Sequence, residues 1–283
     1  MIAANVGQYP VGLMCRVLKV SYAGYWCWRR DPVGKRERAN KRQLALISEV
    51  FLESGRTYGS PRIYEELKKR GVACSREHIA YLMRKEGLRS RHARRPRGLT
   101  QVDRSRAAAP NLVDQYFEVD RPNSIWVADI TYIPTGEGWL YLAAVLDLCT
   151  RKIVGWSLKD TLGAEIALEA FDRAVAVENP GPDMIHHSDR GVQYSCLEYQ
   201  RRLWARGMMC SMSRKGNCYD NAVMESFFHT LKVERADWKK YRTKQEAAED
   251  LNWWIEVWYN RRRLHSSIGY KSPVEYGLEK KVA

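Results

Sequence analysis

Three carboxylates in the second half of the sequence lie in contexts that favour chemistry over simple solvation. Asp129 interrupts the apolar run SIWVADITYIP, where it shares one face of a predicted strand with Val127 and Thr131. Asp189 ends the short apolar segment MIHHSD, and Glu225 falls in the first turns of a predicted helix that follows CYDNAV. Because a carboxylate inside a buried strand is costly without a partner or a metal ion, Asp129 in particular needs a compensating cation.

The chemistry of such a set is that of a divalent metal site. Three carboxylates drawn together repel one another and persist as anions when a cation neutralises them. Ligands that are all oxygen select Mg²⁺ or Mn²⁺. Two such ions about 3.5–4 Å apart activate an attacking oxygen and stabilise a leaving one in phosphoryl transfer. The set therefore predicts a site for two Mg²⁺ or Mn²⁺ ions that acts on phosphodiesters.

Each carboxylate also has an alternative that involves no metal. Asp129 would be a polar residue of an edge strand, Asp189 would cap the turn before Gly191, and Glu225 would stabilise a helix N-terminus through the helix dipole. These three explanations are independent of one another, whereas a shared metal site explains all three positions together. We therefore expect the carboxylates to act as a set.

The elements that would position these residues follow from the hydrophobic pattern. Two continuous apolar or β-branched runs indicate strands buried on both faces, and a third strand follows them before the pattern alternates between helices and strands. Three antiparallel strands followed by α/β alternation are expected for a ribonuclease-H-like mixed five-stranded sheet with flanking helices. The five predicted strands are SIWVADITYIP, WLYLAAVLDLCT, KIVGWSLKD, MIHHSD and MMCSMS.

That sheet explains how distant carboxylates could meet. Its first and fourth strands are neighbours, so Asp129 and Asp189 would face each other. Ligands gather at the carboxyl ends of strands in such sheets, and Asp189 stands at such an end. The helix NAVMESFFHTLKVERAD would bring Glu225 over the same edge.

The excess positive charge of the chain lies in its first third. The 283 residues carry a formal net charge of +14, and residues 1–110 hold 24 Lys and Arg against 9 Asp and Glu. The remaining residues hold 23 basic and 24 acidic side chains. This asymmetry favours a polyanionic partner, and nucleic acid is the first candidate. A solvated basic surface without a partner is the alternative.

Two short helices in the basic third match the plan of a helix-turn-helix. Ser60 is the expected cap of the first, which ends at Gly71, and Ser75 is the expected cap of the second, which ends at Gly87. The second helix of such a pair reads the DNA groove. The residues predicted to contact DNA from it are Arg76, His78 and Arg84.

The composition divides the chain into four parts. We expect a basic helical helix-turn-helix region at 1–88, an arginine-rich linker at 89–118, a ribonuclease-H-like catalytic core at 119–237 and a helical extension at 238–283. Seven cysteines without a CxxC pair argue against disulfides and zinc and favour a reducing cytosol. No run of about 18 apolar residues and no signal-peptide pattern is present, so neither a membrane span nor export is predicted.

Three motifs resemble those of a known family. WVADITYIPT, HSDRGVQYS and NCYDNAVMESFFHTLKVE resemble the DDE transposases of bacterial insertion sequences. They are most similar to the second-frame product, OrfB, of the insertion-sequence-three family, whose core is similar to retroviral integrase. Thirty-five residues separate Asp189 from Glu225, a spacing typical of that group. YGSPRIYEELKKRG and YNRRRLHSSIGYKSPVEY extend the resemblance over nearly the whole chain.

The resemblance implies a mechanism and a catalytic triad of Asp129, Asp189 and Glu225. In the family, metal-activated water nicks the end of the element, and the freed 3′-hydroxyl then attacks another phosphodiester. The family's basic residue beyond the glutamate matches Lys232, about 10 Å from Glu225 on the same helix face and suited to a phosphate; an ordinary surface lysine is the alternative. Asn221 would touch DNA or cap the helix.

The resemblance also implies partners and a location. These are DNA, as element ends and target, a homo-oligomer assembled on that DNA, and fusion with the upstream-frame product of the same element. The chain shows no zipper heptads after Met1, so we expect it to be the catalytic portion of such a fusion. The expected location is the bacterial cytoplasm, on the nucleoid when the protein is bound to DNA.

Further side chains carry weaker expectations. Arg261, Arg262 and Arg263 are predicted to meet the DNA backbone. His186 and His187 are expected to be packed core residues rather than parts of the site, and the tryptophan-rich segment NWWIEVWYN is expected to pack against the core rather than to stack on bases. Two functional alternatives stay open: a DNA-binding regulator whose core is catalytically idle, and a ribonuclease-H-like nuclease that cuts without joining.

Overall fold

The computed structural model of the chain describes residues 1–91, 110–113, 119–214 and 221–282. Within them the chain forms two compact units, Met1–Ser90 and Arg91–Ala283. Most of the predicted arginine-rich linker lies outside the described residues.

The N-terminal unit is entirely helical. Its long third helix packs against the two shorter helices that follow it, and the shared apolar core contains Ile47, Phe51, Ile63, Leu67 and Ile79. The helices are α1 (Val11–Val17), α2 (Tyr22–Arg30), α3 (Lys35–Glu53), α4 (Ser60–Lys69) and α5 (Arg76–Lys85), with a 3₁₀ turn at Ile2–Ala4.

The helix pair α4 and α5 forms as the sequence predicts, with one correction at its start. Ser75 caps α5, because its hydroxyl accepts a hydrogen bond from the backbone N–H of His78 at 3.2 Å. Gly71 and Gly87 follow the ends of the two helices with φ of 72° and 69°, values that favour glycine. Ser60 is already the first residue of α4, so Gly59 is the N-cap and the predicted serine cap is wrong. Pro61 then lies in the first turn, where its fixed φ suits the helix.

The second unit is built on a mixed five-stranded sheet in the order β3-β2-β1-β4-β5. β1 pairs antiparallel with β2 and β2 antiparallel with β3, whereas β4 pairs in parallel with both β1 and β5. The predicted ribonuclease-H-like order is therefore confirmed. The strands are β1 (Ile125–Thr135), β2 (Gly138–Asp147), β3 (Ile153–Lys159), β4 (Ile185–Ser188) and β5 (Met209–Met212).

Helices cover the sheet and bury its apolar side chains. The core on one face contains Trp126, Val145, Phe171 and Leu203 among its members. Gly155 lets the first of these helices approach β3 closely, because a Cβ there would lie 2.2 Å from the carbonyl oxygen of Ala170. The helices are α6 (Ala164–Glu178), α7 (Val192–Ser195), α8 (Leu197–Ala205), α9 (Ala222–Glu234), α10 (Lys244–Trp253) and α11 (Pro273–Val282).

The C-terminal segment is fastened to the sheet by a polar side chain. A π-helical turn at Trp254–Tyr259 continues α10, and Asn260 follows it. The amide of Asn260 donates to the carbonyl of Ile153 at 3.0 Å and accepts from its N–H at 2.9 Å, so it pairs with β3 as a further strand would. In the residues that the structure describes, no helix has the length and apolarity needed to span a bilayer.

Candidate active site

Asp129 and Asp189 come together where the pairing of β1 with β4 ends. The last pair in the register is Ala128 with Ser188, and the two aspartates are the next residue of each chain segment. Paired strands lie about 4.8 Å apart, so these carboxylates are neighbours at the sheet edge. Since β1 is the central strand of five, the alternative that Asp129 is an edge-strand residue is excluded.

The turn after β4 holds the carboxylate of Asp189 in place. Its Oδ1 accepts a hydrogen bond from the N–H of Gly191 at 2.9 Å. A Cβ on Gly191 would lie 2.9 Å from that same oxygen and 3.0 Å from Oε1 of Gln193, so a larger residue there would push against the ends of both side chains, although its φ of −58° suits any residue. The turn-capping role considered for Asp189 is therefore real, and it leaves the second carboxylate oxygen for other partners.

The surroundings of Asp129 disfavour its negative charge. Burial is the largest cause and the neighbouring charge of Asp189 the second; together with the more distant Glu225 they raise its pKa to about 8. The N–H of Ile130, which donates to Oδ1 at 2.7 Å, and the charge of Lys232 act in the opposite direction. Burial also raises the pKa of Asp189. Two adjacent, partly buried carboxylates are a donor set that fits a divalent cation.

Glu225 lies in the first turn of α9, as predicted, with its side chain exposed. Burial of its neighbourhood raises the pKa of this glutamate. Among the described residues no group of three or more His, Cys, Asp or Glu side chains is close enough to hold a metal ion. Glu225 therefore does not form a closed three-carboxylate cluster with the two aspartates in this arrangement, although its charge still helps to raise the pKa of Asp129. That the three carboxylates act as one set stays a prediction.

Lys232 extends from α9 toward β1, where its ammonium group lies over the ring of Tyr132. Its Nζ lies 4.6 Å from the centre of the Tyr132 ring, and Tyr132 contacts Trp139 edge to face at 4.9 Å between centroids. Burial lowers the pKa of Lys232, while the charges of Asp237 and Asp129 raise it. The lysine is half-buried and within electrostatic reach of Asp129, so it is not an ordinary surface lysine.

Asn221 has a structural role at the start of α9. It is only 6% exposed, and its Nδ2 donates to the carbonyl of Ala128 at 3.3 Å. It occupies the N-cap position of α9 but makes no capping hydrogen bond with its side chain. The interaction instead joins the start of α9 to the residue before Asp129, and so fixes the helix that carries Glu225 relative to β1.

Two further residues of this site were not singled out from the sequence. A pocket of about 160 Å³ is lined by Asp129, Asp189, Gln193 and Tyr194, among others. The hydroxyl of Tyr194 is buried and has no hydrogen-bond partner among the described residues. Gln193 and Tyr194 follow Asp189 in the motif DRGVQYS. The signal in the sequence was their position just after the predicted strand that ends at Asp189, and the short helix Val192–Ser195 places them beside the carboxylates.

The residues predicted to meet DNA differ in their exposure. Arg76 and Arg84 are exposed on α5, whereas His78 is half-buried and its Nε2 lies 3.1 Å from Oδ1 of Asn40. That contact with α3 gives His78 a packing role.

Arg261 and Arg262 are exposed after the π-helical turn, but the prediction for Arg263 is wrong. Arg263 is 5% exposed and donates two hydrogen bonds to Glu234, at 2.8 and 2.7 Å. A guanidinium paired in the interior does not present its charge to a phosphate.

The histidine expectation holds, and the tryptophan expectation holds in part. His186 and His187 are both buried; Nε2 of His186 lies 2.9 Å from the hydroxyl of Tyr199, and burial lowers the pKa of His186 to about 3. Trp254 and Trp258 are buried against the core, as expected, whereas Trp253 of the same segment is 43% exposed and does not follow the expectation.

Comparison with known proteins agrees with this geometry. An integrase core domain family matches residues 119–218, a second integrase core domain family matches residues 206–273, and an HTH-like domain family matches residues 37–97. The "Insertion element IS600 uncharacterized 31 kDa protein" of Shigella sonnei is 38% identical over 93% of this chain and 97% of its own length. "Transposase InsF for insertion sequence IS3A" of Escherichia coli (strain K12) is 35% identical over 97% of this chain and 96% of its own length.

Among solved structures, a chain of the simian T-cell lymphotropic virus intasome in complex with PP2A regulatory subunit B56 gamma aligns over 82% of this chain and 74% of that chain, with 13% identity and a TM-score of 0.48.

The strand order, the paired aspartates and the family matches define the class, an integrase-core protein of ribonuclease-H-like fold whose sequence also contains an HTH-like region. The chain belongs to the IS3 family of insertion-sequence transposases. The resemblance that its motifs suggested is thereby confirmed, and its general role is in DNA transposition.

Proposed function

We propose that this transposase cuts DNA at the ends of its element and joins the freed 3′ ends to a target, using Asp129, Asp189 and Glu225 to hold divalent metal. The observation that carries the proposal is the side-by-side placement of Asp129 and Asp189 at the point where β1 and β4 separate, where partial burial raises the pKa of both carboxyl groups.

The donor set supports Mg²⁺ or Mn²⁺ as the resident cation, and two ions as the number. Asp129 and Asp189 would hold the metal from the sheet, and Glu225 would complete the set from the first turn of α9. When bound, such ions stabilise charge on the attacking and leaving oxygens of a phosphodiester. The N–H of Gly191 keeps Asp189 oriented, and the side chain of Asn221 keeps α9 beside β1, so the ligands are held before DNA arrives.

The two proposed steps use the same bond exchange at phosphorus. In the first, a water oxygen bonds to phosphorus as the bond to the 3′ oxygen breaks, which releases a 3′-hydroxyl. In the second, that hydroxyl oxygen bonds to a target phosphorus, and the target's own 3′ oxygen leaves with a proton. Lys232, half-buried near Asp129, would neutralise a phosphate of the strand being cut.

The regions outside the core take roles that follow from charge. We assign 1–88 to DNA binding through the exposed Arg76 and Arg84, 119–237 to catalysis and 238–283 to a supporting helical extension that offers Arg261 and Arg262 to the backbone. The residues between 89 and 118 would connect the first two. The protein would act in the bacterial cytoplasm as an oligomer on DNA, with the upstream-frame product of its element as a fusion partner.

The test is cleavage and joining of a labelled duplex that carries the element's terminal sequence, with Mg²⁺ and the purified chain. Asp189→Asn and Glu225→Gln should each lose both activities by roughly a thousandfold or more, because removing a metal ligand forfeits several kcal/mol of transition-state stabilisation. Asp172→Asn changes an exposed aspartate of α6 in the same unit and should cut normally. Undiminished cutting by Asp189→Asn would refute the proposal.

The same assay separates the functional alternatives. Binding without any cutting in the wild-type chain would identify a DNA-binding regulator, and nicks without joined product would identify a nuclease. Affinity alone does not decide, since every one of these proteins binds DNA more weakly as salt rises.

A further inference from the structure

Two large aromatic side chains are exposed on the part of the sheet that extends beyond the carboxylates. Tyr132 of β1 is 53% exposed and Trp139 of β2 is 50% exposed, although both belong to strands that are otherwise largely buried. Their rings contact each other at 4.9 Å with an angle of 80° between their planes. Single exposed aromatic residues are common on proteins, but a contacting pair keeps a fixed apolar surface of defined shape in water.

The pair lies next to the candidate active site. Tyr132 lines the same pocket as Asp129 and Asp189. It is three residues beyond Asp129, about 10 Å along the strand. Side chains three positions apart leave a strand from opposite faces, so it is the shared pocket that places the ring beside the carboxylates. Stacked nucleotides rise 3.4 Å each along a strand. If a phosphodiester lies at the carboxylates, a base no more than about three nucleotides away therefore reaches these rings.

A cation completes the arrangement. Nζ of Lys232 lies 4.6 Å from the centre of the Tyr132 ring. A nucleotide offers a flat aromatic base and a negative phosphate close together, and this surface offers two exposed rings beside one ammonium group. Protein sites that hold single-stranded nucleic acid combine these two features, with bases stacked on aromatic side chains and positive charge along the backbone.

We propose that Tyr132 and Trp139 form a stacking platform for one base of the DNA strand whose phosphodiester lies at the carboxylates, with Lys232 contacting a phosphate of the same strand. The inference rests on the proposed function for the identity of that DNA. It adds a subsite that orients the strand, and the two aromatic residues act as positioning residues rather than catalytic ones.

The test measures binding in EDTA, where no cutting is expected, so its outcome does not depend on catalysis. The probe is a fluorescent duplex with the terminal sequence read from the DNA flanking the gene, either intact or with one abasic residue within three positions of the element boundary. At one of these three positions, the abasic residue should weaken binding by the wild-type chain roughly 5- to 100-fold. Trp139→Leu should weaken binding of the intact duplex by a similar factor. The affinity of this variant should not fall further when the base is removed, because the ring and the base lose the same interaction.

Control variants separate stacking from folding and charge. Tyr132→Phe keeps the ring and should bind as the wild type, whereas Tyr132→Leu should behave as Trp139→Leu does. Trp204→Leu removes a tryptophan of α8 that is 62% exposed and should retain full sensitivity to the missing base. Equal melting temperatures for all four variants would show that the fold is intact.

Three outcomes overturn the proposal. One is a wild-type chain whose affinity changes less than twofold for an abasic residue at every position. Another is a Trp139→Leu variant that keeps the full sensitivity. The third is loss of self-association in that variant without any coupling to a base, which would assign the rings to contact between copies of the chain. Normal cutting by Asp189→Asn would instead refute the proposed function and leave the base coupling measured in EDTA unaffected.

Discussion

Replacement of Asp129 by asparagine should abolish cutting and yet stabilise the metal-free protein at alkaline pH. Asparagine resembles the protonated acid in shape, keeps an oxygen for the N–H of Ile130 and carries no charge. The substitution therefore removes the charge that burial and Asp189 disfavour, while it preserves the local hydrogen bond.

The size and direction of the effect follow from the raised pKa of Asp129, which is about 8 in the folded protein against 3.8 ordinarily. Between these values the folded chain keeps a proton that the unfolded chain has released, so the free energy of unfolding falls as pH rises from about 4 to about 8. At 1.36 kcal/mol for each pKa unit, the full shift from 3.8 to about 8 corresponds to about 6 kcal/mol. Water reaches this half-buried site and screens the charge, so we expect about 1–3 kcal/mol.

Thermal and denaturant unfolding in EDTA at pH 4.5 and pH 8 measures this difference. The variant should match the wild type near pH 4.5 and exceed it at pH 8, with a melting temperature higher by about 2–4 °C for each kcal/mol in a unit of this size. Asp147→Asn is the comparison, because Asp147 is only 1% exposed, more buried than Asp129, and its carboxylate accepts hydrogen bonds from the N–H and hydroxyl of Thr150 and from the N–H of Asn123. The Asp147→Asn variant should have a free energy of unfolding about 1–3 kcal/mol lower than that of the wild type. An Asp129→Asn variant less stable than the wild type at pH 8 would refute the electrostatic account.

Three further substitutions test the supports of the site. Gly191→Ala should slow DNA cutting roughly 10- to 100-fold with little change in melting temperature, because the new Cβ displaces the carboxylate of Asp189; unchanged kinetics would contradict this. Tyr194→Phe should raise the free energy of unfolding by about 1 kcal/mol in urea titration, since it removes a buried hydroxyl without a partner among the described residues. A fall of about the same size in the free energy of unfolding would instead show that the hydroxyl makes a hydrogen bond. Glu234→Leu should lower the free energy of unfolding by about 3–5 kcal/mol in the same titration, because Arg263 keeps a buried charge without its carboxylate. Adding Arg263→Met should restore part of that free energy. Full additivity of the two changes would argue against the ion pair.

Local pattern was enough to predict most of the elements. The run that contains Asp129 forms β1 because β-branched and aromatic residues suit a buried strand. α5 begins after Ser75 because a serine oxygen satisfies a free N–H at the helix start. The strand order was also within reach, since three strands followed by α/β alternation leave few ways to place β4. Ser60 shows the usual error of one residue at a helix end.

The sequence by itself determined the strands, the helices, the family and the three carboxylates, because each of these depends on neighbouring residues or on short motifs. The tertiary structure alone decided which polar groups are engaged. It paired Arg263 with Glu234, 29 positions away, and turned Asn221 toward the carbonyl of Ala128, 93 positions away. It also set Lys232 against the ring of Tyr132 and left Glu225 exposed. A side chain's partner depends on burial and charge contributed by distant segments, and no spacing along the chain encodes that environment.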